Sequence, residues 1–444
     1  MKYFYLFSLL LLFACRQQPV EKTDWQKIAN EIETELNSNI LDSWYPACID
    51  TAYGGYMSNF DSQFEPMEQQ EKMIVTQARQ LWATSQVAMR TGSSDYLSYA
   101  AHGLPFLQKM WDDTYGGFYQ NVDRSGVPLD STEVKTAYGN SFAIYGLSAY
   151  YAASKDSAAL DLAIQTFQWL ETKSHDPELK GYFQHLTREG DVIQRPDDVA
   201  STAELGYKDQ NSSIHLLEAF TSLYAVWPDS LLRERLSEMF FLIKDQIVND
   251  RNHMDLFFTA DWTPVSYRNT DRETIMQHAW IDHISFGHDI EIAFLLLEAA
   301  ELLDIHDEET VAKCRAITDH ALKGWDDTNG GLFDQGYYFS DDQPMEIIRT
   351  TKEWWAQAEA LNTLLIFHSY FPDAGYDDYF LKQWNYIQTH LSDKANGGWY
   401  TYGADTDPKA NTYPKASIWK STYHNYRALA HCLEILEKNK LQDD

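Results

Sequence analysis

Apolar residues recur along most of the chain at the spacing of a helix face. In "QARQLWATSQVAMRTG", Ala78, Leu81, Trp82, Ser85 and Met89 fall on one side, and Gly92 ends the run. "SFGHDIEIAFLLLEAA" places Ile290, Ala293, Phe294, Leu297 and Ala300 in the same way. "NSFAIYGLSAYYAAS", "NSSIHLLEAFTSLYAVW", "EWWAQAEALNTLLIFHSYF" and "STYHNYRALAHCLEILEK" follow similar rules. They are apolar nearly all round, as helices packed on every side must be. Between them lie shorter amphipathic runs such as "DSAALDLAIQTFQWLETK" and "LLRERLSEMFFLIKDQIV". The alternation predicts helix pairs, one member inside and one outside.

The turns between pairs repeat. "DTAYGGYMSNF", "WDDTYGGFYQNV", "DPELKGYFQHL", "WDDTNGGLFDQG" and "DKANGGWYTYG" each set a polar turn before glycine and then aromatic or aliphatic residues. The glycines at 55, 117, 181, 331 and 398 recur at a near-constant interval, with one interval doubled. "DRNHMDLFFTADW", near Leu256, is the degenerate copy inside the doubled interval. A fixed period of this kind marks a repeat architecture. Six units of two helices close into an (α/α)6 barrel, with short β-hairpins expected at the aromatic–glycine turns. No composition break marks a second domain, so residues 25–444 are read as one barrel.

Composition narrows the partners. The 444 residues are 44% hydrophobic and 14% aromatic, and they carry a net charge of −31. Such a field repels a phosphate backbone and argues against nucleic acid. Aromatic faces suit sugar rings as well as cores. At the N-terminus, Lys2 precedes an apolar run from Tyr3 to Phe13 and then "LFAC". That run is too short to span a bilayer and reads as a signal h-region. Leu12-Phe13-Ala14-Cys15 resembles the bacterial lipobox. This implies a signal peptide over 1–14, a lipidated Cys15, a tether over 15–24, and a protein held at the cell envelope by its lipid alone. Cys48, Cys314 and Cys432 give no disulfide framework.

Polar groups at the ends of inner helices should line one mouth of the barrel. Arg79, Asn211, His215, His288, Glu291, Trp354, Trp355, Gln357, Glu359, Trp419, His424 and Asn425 all interrupt apolar runs there. With them the chain becomes recognisable. "SFGHDIE", "KEWWAQAEA", "NSSIHLLEAFTSLY", "YGNSFAIYGLSAYY" and "IWKSTYHNYRALAHCLEI" together resemble the N-acylglucosamine 2-epimerase superfamily, above all its cellobiose and mannobiose 2-epimerases. The resemblance runs in order through nearly the whole mature chain. It implies an (α/α)6 barrel that inverts C2 of a reducing-end aldose with no metal or other cofactor.

The resemblance also implies roles. His288 and His424 match the two acid/base histidines, Glu291 the carboxylate accompanying the first, and Arg79 the arginine that contacts the reacting sugar. Asn211 and His215 match sugar-contacting positions. Tyr138, Trp354, Trp355 and Trp419 look like pocket aromatics, and Glu359 joins the substrate-binding set. Ser213 departs from the pattern, since many disaccharide epimerases carry histidine there.

The chemistry asks for such residues. The proton on C2 of an open-chain aldose is alpha to an aldehyde, and its removal gives an enediolate. Inversion then requires a proton on the opposite face, hence two groups that titrate near working pH. Arginine stabilises the enediolate oxygen, and Glu291, three residues beyond His288, can polarise that imidazole. Other readings use the same residues. An aldose–ketose isomerase or an N-acylglucosamine 2-epimerase shares the enediolate. A glycoside hydrolase would draw paired carboxylates from Asp112, Asp113, Glu204, Asp326, Asp327 and Glu359. A metal site would use His278, His283, His288 and Glu291, although spacings of five put the histidines on different helix faces. A glycan-binding lipoprotein would use the aromatics without turnover.

Overall fold

All six aromatic–glycine turns close alike in a computed structural model of the chain, which describes residues 23–129, 134–194 and 205–443. The residue before each turn bridges to the one after it: Ile49 to Tyr56, Trp111 to Phe118, His175 to Tyr182, Val248 to Met254, Trp325 to Leu332 and Ser392 to Trp399. The fourth pair is the degenerate copy. Glycine is required because the backbone turns left-handed; φ is 71° at both Gly116 and Gly117. A Cβ on Gly117 would also lie 2.7 Å from the Trp169 ring.

One of the expected hairpins forms as paired strands, Gln335–Tyr337 with Glu346–Arg349. The other pairings join neighbouring units: Lys72–Met73 with Asn121–Val122, Lys135–Thr136 with His185–Leu186, Lys208–Asp209 with Phe257–Phe258, and Ile284–Ser285 with Gln335–Tyr337, all antiparallel. A two-residue strand cannot stand alone, and here it stitches adjacent helix pairs together. A bridge from Phe60 to Ala416 joins the first unit to the last.

The helices are α1 (Trp25–Thr34), α2 (Ile74–Thr91), α3 (Ser94–Met110), α4 (Ala137–Ser154), α5 (Ser157–Lys173), α6 (Gln210–Val226), α7 (Ser230–Leu242), α8 (Arg272–Asp282), α9 (Phe286–Leu303), α10 (Glu308–Ala321), α11 (Trp354–Tyr370), α12 (Tyr376–Tyr386) and α13 (Tyr423–Asp443). In the inner ring α2, α4, α6, α9, α11 and α13 each pack on the next, and α13 returns to α2. The outer helices α1, α3, α5, α7, α10 and α12 pack outside it, so the fold is the (α/α)6 barrel. Burial follows the patterning: α4 is buried at every position from Ala137 to Tyr150, α5 along one face only. Helix α8 is an addition beside the fourth turn. Cys15 and its surroundings lie outside the described residues. Among those described, no helix is long and apolar enough to cross a membrane.

Five of the turns share a feature that periodicity did not reveal. A buried lysine upstream of the inner helix reaches back to the turn's aspartate: Lys72 to Asp50 at 2.9 Å, Lys135 to Asp112 at 3.0 Å, Lys208 to Asp176 at 2.9 Å, Lys352 to Asp326 at 2.7 Å and Lys415 to Asp393 at 2.6 Å. Each ammonium also donates to a turn carbonyl, as Lys135 does to Gly116. The fourth turn has Asn249 and Ile284 at these two places. Both charges are absent together, as expected where half a buried ion pair costs more than none.

Candidate active site

The N-terminal ends of the inner helices meet at a cavity of about 640 Å³. Tyr138 of α4, Gln210 and Asn211 of α6, His288 of α9 and Trp419 of the loop before α13 line it, with His283 and Trp280 at its side. Helix N-termini carry partial positive charge, so this mouth favours developing negative charge.

His288 stands in the first turn of α9. Ser285 occupies the cap position but makes no capping bond; its hydroxyl meets His288 Nδ1 at 2.8 Å instead. Trp355 packs on the imidazole with centroids 4.7 Å apart. Gly287 permits this, since a Cβ there would lie 2.6 Å from the indole. Trp355 also packs on His424, at 5.8 Å. One indole thus touches both histidines, with its Nε1 tied to Glu353 at 2.7 Å. Burial pulls His288 down to about 3, helped by the positive fields of Arg79 and neighbouring histidines, and His424 falls well below its ordinary value for the same first reason. Both imidazoles are neutral near pH 7.

His424 Nδ1 meets Glu359 Oε1 at 2.6 Å. Glu359, expected to touch sugar, is fully buried and spends itself on this histidine and on Arg427, 2.7 Å away. Burial pushes its carboxyl well above the usual range, against the pull of Arg427. A raised carboxyl beside a depressed imidazole means that the pair shares one proton. Glu291 also differs from expectation: its carboxylate bonds Arg427 and leaves His288 to Ser285. A buried carboxylate finds more in a guanidinium than in a neutral ring. Asp289, beside them, accepts from the Met254 amide at 2.9 Å and anchors the fourth turn.

Arg79 is 4% exposed and sits between the rings of Phe142 and Tyr423, at 4.2 and 4.8 Å. It donates to Tyr138 Oη at 3.1 Å and to the Trp419 carbonyl at 3.4 Å, and its Nε has no partner. Among the described residues no carboxylate pairs with it. A buried cation left uncompensated behind the cavity-lining Tyr138 and Trp419 is suited to an oxyanion. Asn211 Oδ1 is likewise buried without a partner and can accept from a sugar hydroxyl. His215 turns Nδ1 to Glu218 at 2.9 Å and packs on Tyr138 and Phe142. Ser213 bonds back to the Asp209 carbonyl within its own helix. Trp419 is 52% exposed at the mouth, while Trp354 is buried beneath the Lys420 ammonium, 5.0 Å away.

The rival constellations come apart. His278 stacks on Tyr267, His283 Nδ1 bonds the Ala279 carbonyl, and His288 and Glu291 face Ser285 and Arg427, so the four do not form a metal site. Glu291, Glu359 and His424 do bring ligand atoms within 4.8 Å of one another. The Arg427 guanidinium already bonds both carboxylates and supplies the charge a metal would. A chelator is therefore expected to leave turnover unchanged; loss restored by a divalent ion would contradict this. Asp112 and Asp326, candidate hydrolytic acids, are taken up by Lys135 and Lys352. Glu204 lies outside the described residues.

A six-hairpin barrel that sets one histidine on the wall of an aromatic-lined cavity, with a second histidine and an uncompensated arginine against residues beside it, defines a class built to move protons on a bound sugar. The sequence pattern of the N-acylglucosamine 2-epimerase (GlcNAc 2-epimerase) family matches residues 55–428, and the chain belongs to that family. It is 31% identical over 416 residues to a cellobiose 2-epimerase of Bacteroides fragilis, covering 92% of this chain and 98% of that one. A cellobiose 2-epimerase of Dictyoglomus turgidum is 29% identical over 425 residues, 94% of this chain and 100% of its own. The solved structure of cellobiose 2-epimerase from Spirochaeta thermophila superposes with a TM-score of 0.81 at 29% identity, covering 94% of this chain and 98% of that one.

Proposed function

We propose that the chain is an isomerase that inverts C2 of the reducing-end aldose of a β-linked disaccharide, of the cellobiose or mannobiose kind. The observation that carries this is the gathering of His288 and His424 against one indole, Trp355, with Arg79 bonded to the cavity-lining Tyr138 close by. Family membership and full-length similarity to cellobiose 2-epimerases support the substrate class.

On the open-chain sugar, one imidazole removes the C2 proton. The C–H electrons form the C1–C2 double bond, and charge moves onto O1, facing the Arg79 guanidinium. The other histidine gives a proton to the opposite face of C2, and the C1 carbonyl re-forms. The donor must start protonated. The Glu359–His424 pair holds that proton, while His288 starts as the neutral base with Nδ1 on Ser285. In the reverse direction the roles exchange, and water resets the protons when product leaves.

A proton NMR time course in deuterated buffer, with free aldoses and β-linked disaccharides, tests the reading. Deuterium is expected at C2 of both epimers of a disaccharide; a hydrolysed glycosidic bond or an unlabelled C2 on every sugar refutes it. Trp419, half-exposed at the mouth, is placed to stack on the second sugar. Trp419→Ala should raise KM for the disaccharide about tenfold, the equivalent of ~1.4 kcal/mol, and spare the free monosaccharide. An equal loss on both sugars removes the second subsite.

The site of action belongs to the same reading. The apolar run before Cys15 supports a lipoprotein of the cell envelope, where partly digested glycans are the available sugars. Fatty-acid labelling in cells should mark the wild type and fail for Cys15→Ala; label in neither contradicts the anchor.

A further inference from the structure

Arg427 has no part in the steps above, yet it is the most connected charge in the barrel. It lies one turn beyond His424 on α13 and is 6% exposed. Nη1 donates to Glu218 and to the Tyr423 hydroxyl; Nη2 donates to Glu291 and to Glu359. Two of these carboxylates hold imidazoles at the sugar site. Glu359 grips His424 Nδ1 at 2.6 Å, and Glu218 grips His215 Nδ1 at 2.9 Å. Burial works against the charge on Glu218, but Arg427 first and His215 next outweigh it and hold the carboxyl at about 2.

The geometry points to Arg427 as the positioning residue of this site: it fixes the tautomer and direction of His424 and His215 through Glu359 and Glu218 without touching the sugar. Its kinetic consequence rests on the epimerase reading above; its structural consequence does not. Only a planar guanidinium reaches three carboxylates at separate directions, whereas an ammonium is a single point. Without it, three buried carboxylates repel one another and rise toward protonation. Glu359, no longer held by the guanidinium, can then turn from His424, and the shared proton that fixed the tautomer is lost.

The fold offers an unusual test. Arg427 and Glu218 also line a second cavity of about 530 Å³, reached from the C-terminal halves of α2, α6 and α9. A free guanidinium ion has a route to the vacancy that Arg427→Ala would leave. In this variant the ¹⁵N resonances of His424, assigned by their absence in His424→Gln, should lose the single pattern that the proton shared with Glu359 imposes in the wild type. The kcat for C2 exchange should fall about 10- to 100-fold, the scale of a reacting group displaced by an ångström, with KM within twofold. Millimolar guanidinium chloride should restore both the resonances and much of kcat. Should Arg427→Ala not fold, Arg427→Lys carries the same two readouts. Glu218→Gln should disturb the His215 resonances and spare those of His424. An unchanged His424 pattern in the arginine variant overturns the proposal, whether or not activity falls. If the wild type exchanges C2 on no sugar, the epimerase reading fails, and the resonances still decide the role of Arg427.

Discussion

His288→Ala and His424→Ala are each expected to slow inversion at C2 by about 10²- to 10⁴-fold, the usual contribution of a positioned acid or base. Both variants should stay folded. His288 contributes a bond to a serine hydroxyl, a longer one from the Gln210 amide at 3.5 Å, and a ring face to Trp355. His424→Ala leaves Glu359 beside Arg427, which still satisfies it. The more telling result concerns exchange without inversion. With one imidazole gone, the other can still remove and return a proton on its own face. Each variant should therefore wash deuterium into C2 of only one epimer, and the two variants should select opposite epimers. Proton NMR from both pure epimers reads this directly. Near-normal inversion in either variant, or exchange of the same epimer by both, would sink the two-base mechanism.

The fold was legible because its signals are local. Glycine pairs and apolar periodicity operate over a few residues, and each unit repeats them. The lysine–aspartate pairs were less visible, since partners stand 22 to 32 residues apart and no local rule joins them. Lys72, Lys135, Lys208 and Lys352 each precede an inner helix by two residues, and that register was the available sign. At the site, helix spacing revealed proximity but not partners. Glu291 lies one turn from His288, yet the strongest buried counter-charge claims it from another helix. Arg427 stands three residues after His424 in "YHNYRALAH" and reads as an ordinary polar interruption until its carboxylates are seen. Glu359 was singled out correctly as unusual, but only burial tells a carboxylate that aims a histidine from one that meets a sugar.

The second large effect concerns stability, and the fourth turn has in a sense already performed the experiment. Lys415 and Asp393 are both buried and 2.6 Å apart. The two partners shift in ways that oppose each other in stability. Burial lowers Lys415, which weakens the charged form; burial also works against Asp393, but Lys415 and the Asn396 donors hold that carboxyl at about 2. Such a pair is worth little against an apolar replacement of both members and a great deal against removal of one. Lys415→Met should therefore cost about 3–5 kcal/mol, seen as a lower urea midpoint with an unchanged slope. The double variant Lys415→Ile with Asp393→Asn copies Ile284 and Asn249 and should recover most of that loss. The pH dependence has a definite sign. Asp393 is depressed from 3.8 to about 2 in the folded chain, so its contribution is full above the unfolded value and disappears as pH falls from about 4 toward 2. The double variant lacks that carboxyl and should lose less stability over the same interval. A double variant no more stable than Lys415→Met would show that the fourth turn survives on other contacts, and that the missing charges there are not a matched exchange.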